Sequence, residues 1–305
     1  MERTLAQELN PRQISTLTTG GAIILLFFVT YLPALEDLNA KYSAVDSYYS
    51  HGYLIPLVSL FVIWHKRNTL KSMRVEPSAA GLWVLGGGLL LYLFSRWFYV
   101  NFAAASSMLI VLTGLALYLF GKAITKQLMF PLAFLLFMIP LPKISIIYIT
   151  FWLKMLAASA ATEIVYAFGI PLMLHGALIE LPNGILEVDN ACSGLRSLIA
   201  LTALGVAYAY FLPVSLVKKC VFLLVSVPIA MLANLSRIII LIVVSYLYSP
   251  AGKVFEWADF TTGMLIFVFA FLGLGIAAKG AVAWEGYGAP NPRSVGNIAG
   301  GSVDG

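Results

Sequence analysis

Long uninterrupted apolar runs divide the sequence, and they restrict its fold more than any other feature. A helix needs about 20 apolar residues to cross the hydrocarbon core of a bilayer, and most of the runs approach or exceed that length. The runs cover residues 14–35, 52–65, 80–100, 102–120, 127–140, 144–174, 193–212, 221–247 and 260–278. Only 11% of the residues are charged and the mean hydropathy is +0.90, which excludes a soluble domain. We therefore expect an all-α polytopic membrane protein.

Basic residues between the runs predict the orientation, because cytoplasmic loops carry an excess of Lys and Arg. The residues that define the cytoplasmic side are Arg3, Arg12, Lys66, Arg67, Lys71, Arg74, Lys122, Lys126, Lys218 and Lys219. These anchors leave no net crossing for the sixth run, which carries Lys154 and Glu163 in its middle. We expect that run to lie at the outer interface or to fold back, which leaves about eight spanning helices and both termini in the cytoplasm.

A single integral membrane domain is predicted over residues 1–283, without a soluble domain. The first run is not followed by a small-residue cleavage motif, so we expect it to remain as an anchor. Residues 284–305 are rich in Gly, Pro, Asn and Ser and are expected to be disordered. The sequence shows neither metal-ligand spacing nor a glycine-rich phosphate loop, so we expect no metal and no cofactor.

A β-hairpin is predicted in the outer loop that precedes the seventh run. Two alternating segments, 177–181 and 185–189, flank a Pro-Asn-Gly turn. The second segment leads directly into the stretch Asn190-Ala191-Cys192-Ser193-Gly194-Leu195-Arg196. The hairpin therefore delivers the chain to a cysteine on the outer side of the membrane.

Cys192 has the sequence surroundings of a reactive thiol. Asn190 or Ser193 can cap the following helix, and the positive end of a helix dipole favours the nucleophilic thiolate. Arg196 follows four residues later and would share a helix face with Cys192. The alternative is that Cys192 is a small buried residue and Arg196 a structural charge.

Arg237 lies in the middle of the eighth run, where a charge is unfavourable. A guanidinium at that depth is tolerated only when it faces an internal site or a partner, so an intramembrane Arg predicts a functional site. Asn234 precedes it by three residues and lies on the same helix face. The alternative is a structural Arg that pairs with an Asp or with backbone carbonyls and holds helices together.

Two histidines lie on the predicted outer side. His51 begins the second run and His175 begins the hairpin loop. Each of them alone is typical of an interfacial residue, although either can serve as a base. His65 and Cys220 lie at the cytoplasmic side, and we expect no role for them.

Three motifs in this order resemble the exosortases and archaeosortases. They are Ser50-His51-Gly52, the stretch around Cys192, and Asn234-Leu235-Ser236-Arg237, and the likeness extends from about Tyr48 to Phe271. The resemblance implies a membrane cysteine protease or transpeptidase that cleaves C-terminal sorting signals of exported proteins. Such a signal has a short motif, typically Pro-Glu-Pro, followed by a transmembrane helix and a basic end. By motif match, Cys192 is the nucleophile and Arg237 assists it.

The sequence departs from this family at the third catalytic position. Relatives carry a His, or in some archaeal members an Arg, shortly before a Gly in the last helix. Here Ala258 or Asp259 occupies that position, depending on a one-residue alignment choice. Three explanations stay open: an engineered inactive form with Ala in place of His at 258, a divergent member in which His51 or His175 reaches the site, or a binding-only relative. We favour the first, because Ala258 is a featureless residue in an otherwise functional segment.

The resemblance also predicts partners and location. The substrates would be exported proteins, cleaved at the outer face of a bacterial inner membrane in contact with lipids, with transfer to a polysaccharide or lipid acceptor. We expect Glu180, Glu187 or Asp189 to orient an Arg or to contact substrate, and Arg196 to position the loop of Cys192. The alternative function is a transporter or exopolysaccharide-export component that binds an anionic substrate at Arg237.

Overall fold

The computed structural model describes residues 11–44, 47–188, 194–250 and 252–288, and its architecture is helical. Within those ranges the helices are α1 Pro11–Tyr42, α2 Leu54–His65, α3 Arg67–Ser72, α4 Ala80–Trp97, α5 Asn101–Phe134, α6 Lys143–Ala167, α7 Leu195–Phe211, α8 Leu216–Tyr248 and α9 Lys253–Gly288. Short 3₁₀ helices, Ser50–Tyr53 and Leu135–Met138, precede α2 and follow α5. Three strands, β1 Met173–His175, β2 Leu178–Leu181 and β3 Gly184–Glu187, lie between α6 and α7.

The described helices confirm an all-α polytopic membrane protein. Six of them are long and apolar enough to cross a membrane, and two shorter apolar segments, Ser50–His65 and Leu195–Phe211, bring the total to eight. Bulky side chains point outward from these helices, as at Trp83 and Trp97, which are 85% and 81% exposed. Such a surface is stable in lipid but would associate in water. Which side of the membrane each end faces stays a prediction.

The structure groups the apolar runs differently from the prediction. The fourth and fifth runs belong to one long element, α5, which bends at Gly121. Gly121 has a φ of +81°, and a Cβ there would collide with the backbone carbonyl of Glu76, so only glycine fits the bend. Beyond the bend, α5 lies beside α2, where the Ser59 hydroxyl donates a 3.0 Å hydrogen bond to the Pro131 carbonyl.

The fold divides after Pro140 into two compact units, residues 1–140 and 141–305. In the first unit, α4 and α5 pack closely through glycines. A Cβ on Gly88 would lie 2.7 Å from a methyl group of Val111, and one on Gly114 would lie 2.5 Å from the backbone nitrogen of Leu85. Helices without side chains at the contact can approach closely, which is how apolar helices gain packing energy in lipid.

In the second unit, α6 is one continuous helix that packs along α8. The sixth run was expected to lie at the interface or to fold back as a helix pair. The helix-pair version is wrong, because Lys143–Ala167 is unbroken and has the length and composition of a membrane span. Its buried residues are small, among them Ala158 and Ala161, and they form a core with Ile238 and Ile242 of α8.

The predicted hairpin is present and is extended by a third strand. β2 pairs antiparallel with β3 in the register Leu178↔Glu187, and β1 adds to the other edge of β2. Ile179, Leu181 and Leu186 are buried against the core that α6 and α8 form. The hairpin is therefore packed onto the helices and does not extend freely from them.

The structure changes two predicted boundaries. α9 continues to Gly288, past Trp284 where the disordered tail was expected to begin, and residues 289–305 lie outside the described part of the chain. α7 begins at Leu195 with Gly194 as its N-cap residue, in a left-handed conformation and without a side-chain cap. That the chain forms a single membrane domain over 1–283 stays a prediction.

The α4–α5 contact predicts opposite outcomes for neighbouring glycines. Gly88→Ala should destabilise the protein by about 1–3 kcal/mol, because the new methyl group must displace Val111. Gly87→Ala is the matched control, since nothing lies within 4 Å of a Cβ there. It should be neutral or stabilising by up to about 1 kcal/mol. Thermal unfolding in detergent micelles distinguishes the two, and equal melting temperatures would contradict the close packing.

Candidate active site

Asn234 and Arg237 lie on one side of α8, within its mainly apolar middle. We call this the polar side of α8. Asn234 is 4% exposed, and the side chain of Arg237, one turn further on, is 13% exposed. Both are thus largely enclosed by protein in the middle of a 33-residue helix. The structure confirms the predicted proximity of these two side chains along the helix.

Arg237 forms an ion pair with Asp259 of α9. The Nη2 atom of Arg237 donates a 2.7 Å hydrogen bond to Oδ1 of Asp259, whose side chain is 43% exposed. The guanidinium also lies beside Gly263, one turn after Asp259, where a Cβ would make an ordinary van der Waals contact with Nη2 at 3.8 Å. The Nε atom of Arg237 is buried and has no hydrogen-bond partner among the described residues. The pair therefore joins α8 to α9 and leaves one donor of the guanidinium available.

Ala258 has different surroundings from its neighbour Asp259. It is 7% exposed and belongs to the core that the hairpin forms with α6 and α8, where Ile179 and Ile238 are also buried. Its carbonyl accepts a 2.7 Å hydrogen bond from the hydroxyl of Thr262. Of the two candidates for the third catalytic position, Asp259 contacts Arg237 and Ala258 packs in the core beneath the hairpin.

The start of α7 contacts the polar side of α8. A Cβ on Gly194 would lie 2.8 Å from the side-chain amide of Asn234, and the φ of Gly194 is +77°. Both observations require glycine at this position. The predicted nucleophile Cys192, the predicted caps Asn190 and Ser193, and the predicted substrate contact Asp189 lie outside the described residues.

Arg196 lies in the first turn of α7. It is half-buried, and its Nε atom is enclosed without a hydrogen-bond partner in the part of the chain that the structure describes. The predicted common helix face of Cys192 and Arg196 stays a prediction, because Cys192 lies outside the described residues. The described part of α7 begins at Leu195.

The acidic residues of the hairpin have basic neighbours. Glu187 lies 3.9 Å from the Nζ atom of Lys154 in α6, and Glu180 lies 3.5 Å from Nε2 of His175 across the β1–β2 pair. His175 and Glu180 are well exposed, whereas the side chain of Lys154 is only 16% exposed. Lys154 was not predicted as a site residue, although its position inside an apolar run satisfies the same intramembrane-charge rule that identified Arg237.

His51 belongs to the first unit. It lies in the 3₁₀ helix before α2, stacked on Tyr49 with ring centroids 5.9 Å apart. Both ring nitrogens are buried and lack a hydrogen-bond partner among the described residues. Cys220, for which no role was expected, is exposed.

Comparison with protein families decides the classification. The model for the transmembrane exosortases (Exosortase_EpsH) matches residues 42–276, well over half of the chain. The chain belongs to the transmembrane exosortase family. No curated protein and no solved structure matches it. Membership confirms the family that the motifs suggested. It also confirms a multi-pass membrane protein, and the family acts on exported proteins.

Within this exosortase, the match covers the candidate residues from both units. It includes His51, Cys192, Arg237 and Asp259, although it assigns none of them a role. Among the described residues, no three His, Cys, Asp or Glu side chains lie close enough together to hold a metal ion. The absence of a cofactor thus stays a prediction.

A double-mutant cycle measures how strongly Arg237 and Asp259 interact. The variants Arg237→Gln, Asp259→Asn and their combination should give a coupling energy of about 1 kcal/mol in thermal unfolding experiments. This figure allows for the solvent that screens the partly exposed Asp259. The control cycle uses the more exposed pair Arg96 and Asp37, 3.3 Å apart, where we expect about 0–0.5 kcal/mol. Equal coupling in both cycles would contradict a partly buried, stabilising Arg237 pair.

Proposed function

We propose that this exosortase is a membrane cysteine protease or transpeptidase in which Cys192 is the nucleophile and Arg237 stabilises the oxyanion. The observation that supports this most is the contact of Gly194 with Asn234, one turn from Arg237. Gly194 follows Cys192 by two residues. Two residues of extended chain span at most about 7 Å, so covalent geometry alone keeps Cys192 close to the polar side of α8.

The chemistry begins with attack of the Cys192 thiolate on the carbonyl carbon of a substrate peptide bond. A C–S bond forms, and the carbonyl oxygen becomes an oxyanion to which the unpartnered Nε–H of Arg237 can donate. The C–N bond then breaks, and the leaving amine takes up the proton that the thiol released. Attack by water on the thioester completes hydrolysis, and attack by an amine on a lipid or polysaccharide acceptor completes transpeptidation.

Asp259 serves to orient Arg237 in this proposal. A carboxylate oxygen 2.7 Å from Nη2 restrains the position of the guanidinium, which is useful for a donor to a developing negative charge. Asp259 does not replace the missing His as an acid, because an ionised carboxylate that accepts from Arg holds no proton to donate. In this proposal Asp259 therefore does not supply the proton that the leaving amine takes up.

The substrates that we propose are exported proteins with a C-terminal Pro-Glu-Pro signal, a transmembrane helix and a basic end. The cleaved bond would lie at the outer face of a bacterial inner membrane. The hairpin fits this task, because it packs on α6 and α8 and leads the chain to the Cys192 segment. Its exposed acids Glu180 and Glu187 are the candidates for substrate contact.

Cys192→Ala should abolish cleavage or trapping of such a substrate. The measurement follows the size of a co-expressed reporter with the sorting signal, together with thioester-linked adducts of this chain, in membranes. Cys220→Ala is the matched control, because Cys220 is exposed and lies near the start of α8, and it should leave both readouts unchanged. Cleavage that persists in Cys192→Ala would overturn the proposed nucleophile.

Restoring a His at the third position should raise cleavage by roughly 10²- to 10⁴-fold, the usual contribution of a general acid–base group. Ala258→His and Asp259→His test the two possible alignments. Ala258 is in a packed core, so the core side chains around it must repack to admit the imidazole of Ala258→His. Asp259 is partly exposed beside Arg237, so Asp259→His requires less repacking. Ala258→Gln and Asp259→Asn control for size and charge, and membrane abundance of each variant reports folding.

Failure of every His variant to gain activity would leave two alternatives. If the chain as it stands cleaves the reporter, another group transfers the proton, and His175 and His51 are replaced next. If no form cleaves or traps the reporter, the transporter hypothesis with an anion at Arg237 becomes the one to test.

A further inference from the structure

Six basic side chains lie at one end of the first unit, and together we call them the basic surface. They come from two segments that are distant in sequence, the stretch that includes α3 and the part of α5 that follows the bend at Gly121. Glu76 is the one acidic residue within residues 64–79 and 117–130, so with His65 neutral the formal charge there is +5. The six basic residues are Lys66, Arg67, Lys71, Arg74, Lys122 and Lys126.

Two hydrogen-bond contacts bring the segments of the basic surface together. The Nζ atom of Lys66 donates to the side-chain oxygen of Gln127 at 3.1 Å and to its carbonyl at 3.3 Å. The backbone nitrogen of Glu76 donates to the carbonyl of Phe120, 3.4 Å away, just before the bend in α5. Each contact lies beside further basic residues of both segments, so the positive charges are concentrated on one surface.

Little negative charge neutralises this surface. Lys71, Lys122 and Lys126 are exposed and form no ion pair within the ranges that the structure describes. Arg74 lies 3.8 Å from Glu76, but both side chains are exposed to solvent, where such a pair contributes little. The surface therefore keeps a positive potential that attracts an anion.

Exposed apolar side chains border the basic surface. Trp64 is 58% exposed, Val75 53% and Phe120 42%. The guanidinium of Arg67 lies over the Trp64 ring, 4.3 Å from the ring centroid, and its Nη1 atom donates to the Trp64 carbonyl. A nucleic acid or another soluble polyanion would leave these apolar side chains in water. A phospholipid matches both parts, because its phosphate lies next to its acyl chains and a Trp ring is favoured at that depth.

We propose that the basic surface binds the headgroup of an anionic phospholipid. Lys71, Lys122 and Lys126 contact the phosphate, and the apolar border contacts the upper part of the acyl chains. The same basic residues predict that this end of the unit lies in the cytoplasm, where anionic lipid attracts basic segments next to membrane helices. The bound lipid holds the bend of α5 at the level of the headgroups. The inference concerns the first unit alone and does not depend on the proposed protease.

Native mass spectrometry of the full chain in a non-ionic detergent measures this binding. The two probes are phosphatidylglycerol and phosphatidylcholine with the same acyl chains, so the headgroup is the only difference between them. Because one basic residue near a membrane surface strengthens binding roughly five-fold, we expect phosphatidylglycerol to bind at least about five-fold more tightly than phosphatidylcholine.

Lys122→Gln combined with Lys126→Gln should weaken phosphatidylglycerol binding at least about five-fold and change phosphatidylcholine binding less than about two-fold. The matched control is Lys143→Gln combined with Lys253→Gln, two exposed lysines of the second unit whose loss changes the net charge equally. It should change neither affinity by more than about two-fold. Glu76→Gln acts in the opposite direction and should strengthen phosphatidylglycerol binding about two- to five-fold, because it removes the acid from the surface.

Each outcome decides the inference. Equal binding of the two lipids overturns it, and so does an equal loss in the control variant, because net charge alone then explains the effect. Displacement of phosphatidylglycerol by glycerol 3-phosphate or by a short oligonucleotide at an equal concentration overturns the lipid assignment in favour of a soluble anion. If the variant at Lys122 and Lys126 melts at a lower temperature, the gain expected for Glu76→Gln decides instead. None of these readouts uses peptide cleavage, so failure of the proposed protease and failure of this site are distinguishable.

Discussion

The charge of Arg237 in the middle of a membrane helix is the constraint on which the second unit depends. A guanidinium cannot face lipid at that depth, so the chain must supply both a partner and an enclosure. Asp259 supplies the partner at 2.7 Å, and the guanidinium packs beside Gly263. The same requirement brings α9 against α8 and places one of the two candidates for the third catalytic position, Asp259, at this contact.

Ala258 and Asp259, the two positions at which the family histidine could align, have different surroundings. The residue at 259 contacts Arg237, and the residue at 258 packs in the core under the hairpin. A base at position 259 would therefore act from beside the guanidinium. A base at position 258 would act from the side of the hairpin. Whether the third catalytic position aligns with 258 or with 259 therefore decides which face of α9 would hold the catalytic group.

Much of the fold follows from local features of the sequence. Apolar length predicts the spans, alternation around a turn predicts β2 and β3, and the spacing of Asn234 and Arg237 predicts their common side. These patterns are local, so each of these elements can be predicted from its own segment of the sequence. The bend at Gly121 is harder to predict, because the carbonyl of Glu76 that makes glycine necessary is distant in sequence.

The site contacts that sequence analysis missed are also long-range. The pairing of Lys154 with Glu187 joins a helix to a hairpin. The strand β1 lies at the end of an apolar run whose composition is equally typical of a helix, so it was not predicted. The described start of α7 follows a left-handed glycine, Gly194, which a search for polar capping residues does not find. Residue type alone does not distinguish these alternatives.

The length of α7 has a consequence for the bilayer around the site. Its 17 residues rise about 26 Å, some 4 Å less than a typical hydrocarbon thickness of about 30 Å. Such hydrophobic mismatch is relieved when the membrane thins locally or when the helix end lies below the interface. Either response brings water and lipid headgroups toward Gly194. Hydrolysis of a thioester, as proposed above, needs such hydration at a depth where an unthinned membrane would be dry.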